Sequence, residues 1–135
     1  MTKENYTPVR WDEQFKIRIA NSDTSMQKHE VVKLLLVMKL IEKNRNHRNW
    51  IRIYTEHEIN EDIICDIYFE DIKNKVIYAY EIQKNTSSDW TNQTLRKYKD
   101  WNVLGFNTSD LIIVPLKNAP DNLIELNKWL NDYIY

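Results

Sequence analysis

The spacing of apolar positions changes repeatedly along these 135 residues, and each change marks an element. Met26 to Asn44 contains no Gly or Pro and places Val31, Leu34, Leu35, Met38 and Ile41 at helical spacing. The capping cluster Asn21 to Ser25 precedes it, so this stretch predicts a helix. Between Val31 and Ile41 only Lys33 and Lys39 are polar, which predicts a helix covered over most of its circumference. WIRIYTEHEI (50–59) alternates Trp50, Arg52 and Tyr54 against Ile51 and Ile53, then loses its pattern, and reads as a first strand. DIICDIYFEDI (62–72) and VIYAYEIQ (76–83) are two further strands, and Lys73-Asn74-Lys75 joins them as a hairpin. Ser87-Ser88-Asp89 opens a second long helix carrying Trp90, Thr94, Leu95, Tyr98 and Trp101 and ending near Gly105. DLIIVPL (110–116) is a continuous apolar run of the kind buried on both sheet faces. After Pro120, Leu123, Leu126, Leu130 and Ile134 return to helical spacing. FKIRIA (15–20) alternates and reads as a short strand or an ordered arm. The expected order is an arm over 1–22, then one domain over 23–135 running helix, three strands, helix, strand, helix.

Length and composition narrow the function classes. A chain of 135 residues buries roughly two-thirds of its unfolded surface as one domain and has no room for a second. With 42% hydrophobic and 29% charged residues it is of globular type, and its longest apolar run, Leu34 to Met38, is far too short to cross a bilayer. No charged-then-apolar leader opens the sequence and Cys65 is the only cysteine, so the expectation is a reducing cytoplasm with no membrane partner. A net charge of −1 neither supports nor excludes DNA as a partner. One glycine in the whole chain rules out glycine-rich phosphate cradles.

Three carboxylates stand where a hydrophobe would cost less: Glu30 at the edge of the first helix's apolar stripe, Asp66 inside the second strand, and Glu81 near the end of the third. A charge inside an apolar strand costs several kcal/mol unless it is paired or binds a cation. Residues 66 and 81 are at similar distances from the hairpin turn and are expected to lie across from one another. Their repulsion would be reversed by a hard divalent cation, and Mg²⁺ (or Mn²⁺) suits an oxygen-only set better than zinc does.

This order of elements, with Glu in the first helix, Asp in the second strand and Glu-x-Gln in the third, resembles the PD-(D/E)XK nuclease superfamily, which includes archaeal Holliday-junction resolvases and restriction endonucleases. The pattern Asp66…Glu81-Ile82-Gln83…Arg96…Tyr98, followed by Gly105-Phe106, resembles the nuclease-like segment of the competence protein CoiA family. The likeness spans residues 26–116. It implies an α/β fold with an αβββαβ restriction-endonuclease-like core: a mixed four-stranded sheet plus a C-terminal helix. Asp66 and Glu81 would then be metal ligands with the main-chain carbonyl of Ile82, and Glu30 would orient a metal-bound water or take a second metal. Gln83 would fill the place of the motif lysine, with Lys84 next and Lys97 third in rank for that duty. Arg96, Lys97 and Tyr98 would meet nucleic acid. The implied function is metal-dependent hydrolysis of DNA phosphodiester bonds, endo- or exonucleolytic, in a possible homodimer. The alternative is a catalytically inactive nuclease-fold module that binds nucleic acid or a protein partner.

Plainer readings stand beside these. Asp66 and Glu81 also fit as salt-bridge partners of Arg52 or Lys75 at a sheet edge. His29 and His57 read as surface or capping residues, with ligand or general-base duty the lesser alternative, Cys65 as a small buried hydrophobe on the face opposite Asp66, and the Trp90–Thr94–Tyr98–Trp101 row as core, with base stacking by an exposed Trp90 or Tyr98 the lesser alternative.

Overall fold

A computed structural model describes residues 6–12, 15–20, 27–84 and 87–134, the first two segments by backbone alone. The capping cluster Asn21 to Ser25 lies outside the described residues. The chain is mixed α/β. Strands β1 (Tyr6–Asp12) and β2 (Phe15–Ala20) form an antiparallel pair. Helix α1 (Gln27–Lys43) follows, then β3 (Ile51–Asn60), β4 (Ile63–Asp71) and β5 (Val76–Gln83). Helix α2 (Ser88–Lys97), short strands β6 (Asn107–Thr108) and β7 (Ile112–Pro115), and helix α3 (Leu123–Trp129) complete it.

Among the described residues, one seven-stranded sheet holds every strand. Strands β3, β4 and β5 are antiparallel neighbours, and β6 and β7 run parallel to β5 along its far side. The sheet is larger than the four strands expected, because β2 pairs parallel to β3 and brings β1 with it. The alternation of FKIRIA is thus that of a true strand.

The sheet is covered on both sides. Val32, Leu36, Val37 and Leu40 of α1 pack with Ile53, Ile67, Phe69, Tyr80 and Ile82, and Leu126 and Leu130 from the C-terminal end complete this cluster. A second cluster joins Cys65, Ile77 and Ala79 to Tyr98 and Trp101 beyond α2. Each fully buried Leu or Ile contributes about 1.5–3 kcal/mol through removal from water. Tyr80 ties the first core to the chain's end, its hydroxyl donating to the Tyr133 carbonyl at 2.7 Å.

Several elements differ from the pattern's expectation. On α1, Val31 and Met38 are 42% and 53% exposed while Lys33 is completely buried. Helix α2 starts as foreseen, with the Ser87 hydroxyl accepting from Trp90 N at 3.2 Å, but spans only 10 residues and stops well before Gly105. Trp101 lies outside the helix and sets its ring edge-on against Tyr98, centroids 5.9 Å apart, inside the second core. Among the described residues, strand β7 pairs with β5 alone and is fully buried only at Val114. An edge place needs no donor from Pro115, which explains how a proline sits in this strand.

Candidate active site

The β3–β4–β5 meander is distorted where its charged residues fall. In β3 the backbone of Glu56 takes a left-handed turn, φ 49°, which costs a non-glycine residue roughly 1–2 kcal/mol. Opposite it, β4 changes face. Ile63 and Cys65 belong to the core on the α2 side, whereas Ile67 and Phe69 belong to the core on the α1 side. Simple alternation would hold all four on one side, so the reversal falls at Asp66. The pairing of β4 with β5 also ends here, at Ile67 opposite Tyr80. Carried one step further, that register sets Asp66 opposite Glu81, as expected from the hairpin. In place of a main-chain acceptor, the Asp66 carboxylate itself accepts from the Ile82 N–H at 2.6 Å.

Helix α1 brings three polar residues to this point. His29 Nε2 is 3.5 Å from Asp66 Oδ1, and its Nδ1 is 3.6 Å from Glu30 Oε1. Lys33 Nζ lies 2.6 Å from Glu30 Oε2 and donates to Glu56 Oε1 at 3.0 Å. The Glu30 contact has ion-pair distance without hydrogen-bond alignment, so both buried Glu30 oxygens lack a directed donor. From the other side, Tyr98 donates its hydroxyl to Glu81 Oε1 at 2.7 Å.

Crowding these charges out of water shifts them strongly. Burial, and then the negative charge of Asp66, pushes Glu81 up to about 9; Tyr98's hydrogen bond pulls the other way. Burial followed by Asp66 likewise raises Glu56 to about 7, against the pull of Lys33. Burial opposes a charge on His29, but the adjacent Asp66 and Glu30 carboxylates outweigh it and hold the imidazole at about 9. Glu30 moves down because His29 and Lys33 together overcome its own desolvation.

Glu81 also borders a cleft of about 320 Å³. Trp90, Thr94 and Lys97 of α2 form one wall, and Glu61 and Asp62 from the β3–β4 turn stand in the lining with them. Asp66 approaches from the α1 side and is not part of that lining.

The residues named from sequence therefore separate. Asp66 and Glu81 come together, with Glu30 one residue removed through His29. Gln83 is only 7% exposed and spends its amide on Thr91 Oγ1, at 2.8 Å, rather than on the carboxylates. Lys84 is exposed beyond the strand end, as is Arg96 on α2. Lys97 is exposed and borders the same cleft as Glu81. Tyr98 is 5% exposed and serves Glu81. Ile82 is buried and meets Asp66 through its N–H. Arg52 lies 3.7 Å from Glu70.

Three residues of the cluster were not assigned to the site from sequence. His29 is buried, not a surface or capping residue. Glu56 sits where the first strand's alternation lapses, which was its only visible signal. Lys33 was visible as a cation in an apolar stripe. Cys65 is fully buried, as its type suggested.

Asp66 and Glu81 offer only oxygen donors, which fits a hard cation. Among the described residues no three His, Cys, Asp or Glu side chains form a complete metal-ligand set. A Mg²⁺ ion held by two carboxylates does not require one, because it ordinarily keeps waters and takes substrate phosphate oxygens. Compared with protein-family models, curated proteins and solved structures, the chain matches none.

Proposed function

We propose that this protein is a metal-dependent nuclease acting on DNA, with an αβββαβ core of the restriction-endonuclease type. The observation that carries this reading is the meeting of Asp66 and Glu81 where β4 and β5 part, beside a cleft large enough for part of a substrate. Two carboxylates in such contact are unfavourable when both are ionised, and a divalent cation turns that cost into a binding site. The element order from α1 through β7 supports it, with three antiparallel strands, a helical crossover and a parallel fourth.

When bound, the cation would offset charge on the phosphate and lower the pKa of the attacking water. Asp66 and Glu81 would hold it. The Ile82 N–H fixes the Asp66 carboxylate, and the Tyr98 hydroxyl fixes Glu81 and favours its ionised form. Lys97 is the side chain best placed to meet a phosphate in the cleft, ahead of Gln83 and Lys84. Glu30 and Glu56, bridged by Lys33, form a rigid acidic support behind His29 rather than a second open ligand pair.

The second reading is a nuclease-fold binding module without catalysis. It is favoured by the engagement of Gln83 with Thr91, which leaves the motif-lysine position turned away from the carboxylates.

Nicking of supercoiled DNA in Mg²⁺ or Mn²⁺ separates the two. Wild type is expected to cut, and Asp66→Ala and Glu81→Ala each to lose about 100-fold or more of the rate. Equal nicking by all three proteins would sink the catalytic reading, and metal-independent binding without any cutting would support the module.

A further inference from the structure

Trp90 is left unexplained by the carboxylate site. Of the row Trp90, Thr94, Tyr98 and Trp101, the last three are buried. Trp90 is half-buried, belongs to neither core cluster among the described residues, and faces the cleft beside Glu81. An indole offers a large rigid apolar surface, and leaving it against a polar cleft forgoes core burial. Thr94 spends its hydroxyl on the Trp90 carbonyl at 2.8 Å, so it is not a free donor to a ligand. Lys97, seven residues on from Trp90, follows on the same helix face.

The charged residues of the lining come from different elements. Lys97 is the cation of the lining, while Glu61 and Asp62 come from the β3–β4 turn. Carboxylates repel a phosphate but accept from the exocyclic amino group of a base, as Glu and Asp do from cytosine N4. A cleft of about 320 Å³ is at the small end for ligand pockets and has no space for a base pair with its backbones.

Resting on the nuclease reading, we propose that this cleft takes one unpaired nucleobase, stacked on Trp90 with its amino edge toward Glu61 and Asp62 and its phosphate at Lys97. Single strands, ends and branch points are then the substrate class, because a base in an intact duplex must first be flipped out at a cost of a few kcal/mol. Stacking on an aromatic ring tolerates any base, and the acidic edge adds a preference for those bearing an amino group.

The test uses the whole chain in EDTA, where no cutting occurs, and fluorescence anisotropy with labelled tetranucleotides of deoxycytidine, deoxyuridine or abasic sugar-phosphate. Deoxycytidine is expected to bind tighter than deoxyuridine, and the abasic strand about 5- to 100-fold weaker than deoxycytidine. Trp90→Leu should weaken deoxycytidine binding to the abasic level, with Trp90→Phe retaining most of it. Glu61→Gln with Asp62→Asn should erase the cytosine–uracil difference. Abasic and deoxycytidine strands binding alike to wild type would overturn the proposal whatever the folding of the variants. The nicking assay reads separately: loss of cutting in Glu81→Ala with no role for Trp90 keeps the nuclease and removes the base pocket. Base-dependent binding without metal-dependent cutting does the reverse.

Discussion

Lys33 is completely buried among hydrophobic residues of α1, and its charge is offset by Glu30 and Glu56, which reach it at 2.6 and 3.0 Å. Replacing it by an apolar residue of similar length removes the cation that two buried carboxylates share, leaving Glu30 with His29 alone. Lys33→Met is therefore expected to destabilise the fold by about 3–5 kcal/mol, read from urea denaturation near neutral pH. Adding Glu56→Gln should recover part of that loss, because it removes one of the stranded charges; strictly additive effects would contradict the coupling. Asp66 and Glu81 were legible in sequence because a carboxylate in a strand of Ile, Tyr and Phe has few structural uses. Glu56 and His29 were not, since each lies among polar neighbours. Only a left-handed backbone at Glu56 and the pitch of α1 at His29 turn them toward Asp66.

At the scale of elements, the hairpin was readable to within a residue of its turn. Apolar runs of similar length flanked Lys73-Asn74-Lys75, and β4 and β5 pair from Asp71 opposite Val76. The turn is held by Asp71, whose carboxylate accepts from the Asn74 N–H at 3.0 Å and from its side-chain amide at 2.8 Å. Lys75 completes the turn with φ 56°, a conformation that favours glycine. Lys75→Gly should raise stability by about 0.5–1 kcal/mol, the relief of left-handed strain being partly offset by the freer unfolded chain. An unchanged or lowered denaturation midpoint would mean that the turn is held in a different geometry. Helix α2 and strand β7 were placed correctly but given the wrong extents. Trp101 keeps helical spacing in sequence while its burial is reached through a turn, and the apolar run of β7 continues at an edge.

For the whole molecule, the buried charges couple folding to pH in one direction. Glu81 and Glu56 stand at about 9 and about 7 against an ordinary 4.5, and His29 at about 9 against 6.5. Each keeps a proton in the folded state that the unfolded chain has already released, so stability falls as pH rises through that window. Glu30, shifted down, acts in the opposite sense only below its ordinary value of 4.5. The urea midpoint in EDTA is expected to be highest near pH ~5 and to decline steadily toward pH ~9. Mg²⁺ should flatten that decline by favouring ionised Glu81. A midpoint independent of pH across this range would contradict the buried network. No helix among the described residues is long and apolar enough to cross a membrane. The sequence by itself determined the α/β class, the succession from α1 to α3 and the encounter of Asp66 with Glu81, because period and hairpin register are local properties of the chain. Tertiary structure alone decided that Lys33 turns inward, that Gln83 is spent on Thr91, that β1 and β2 enlarge the sheet, and that Trp90 stays outside the core. Each of these depends on which surfaces meet across the fold, and residues far apart in the chain settle that.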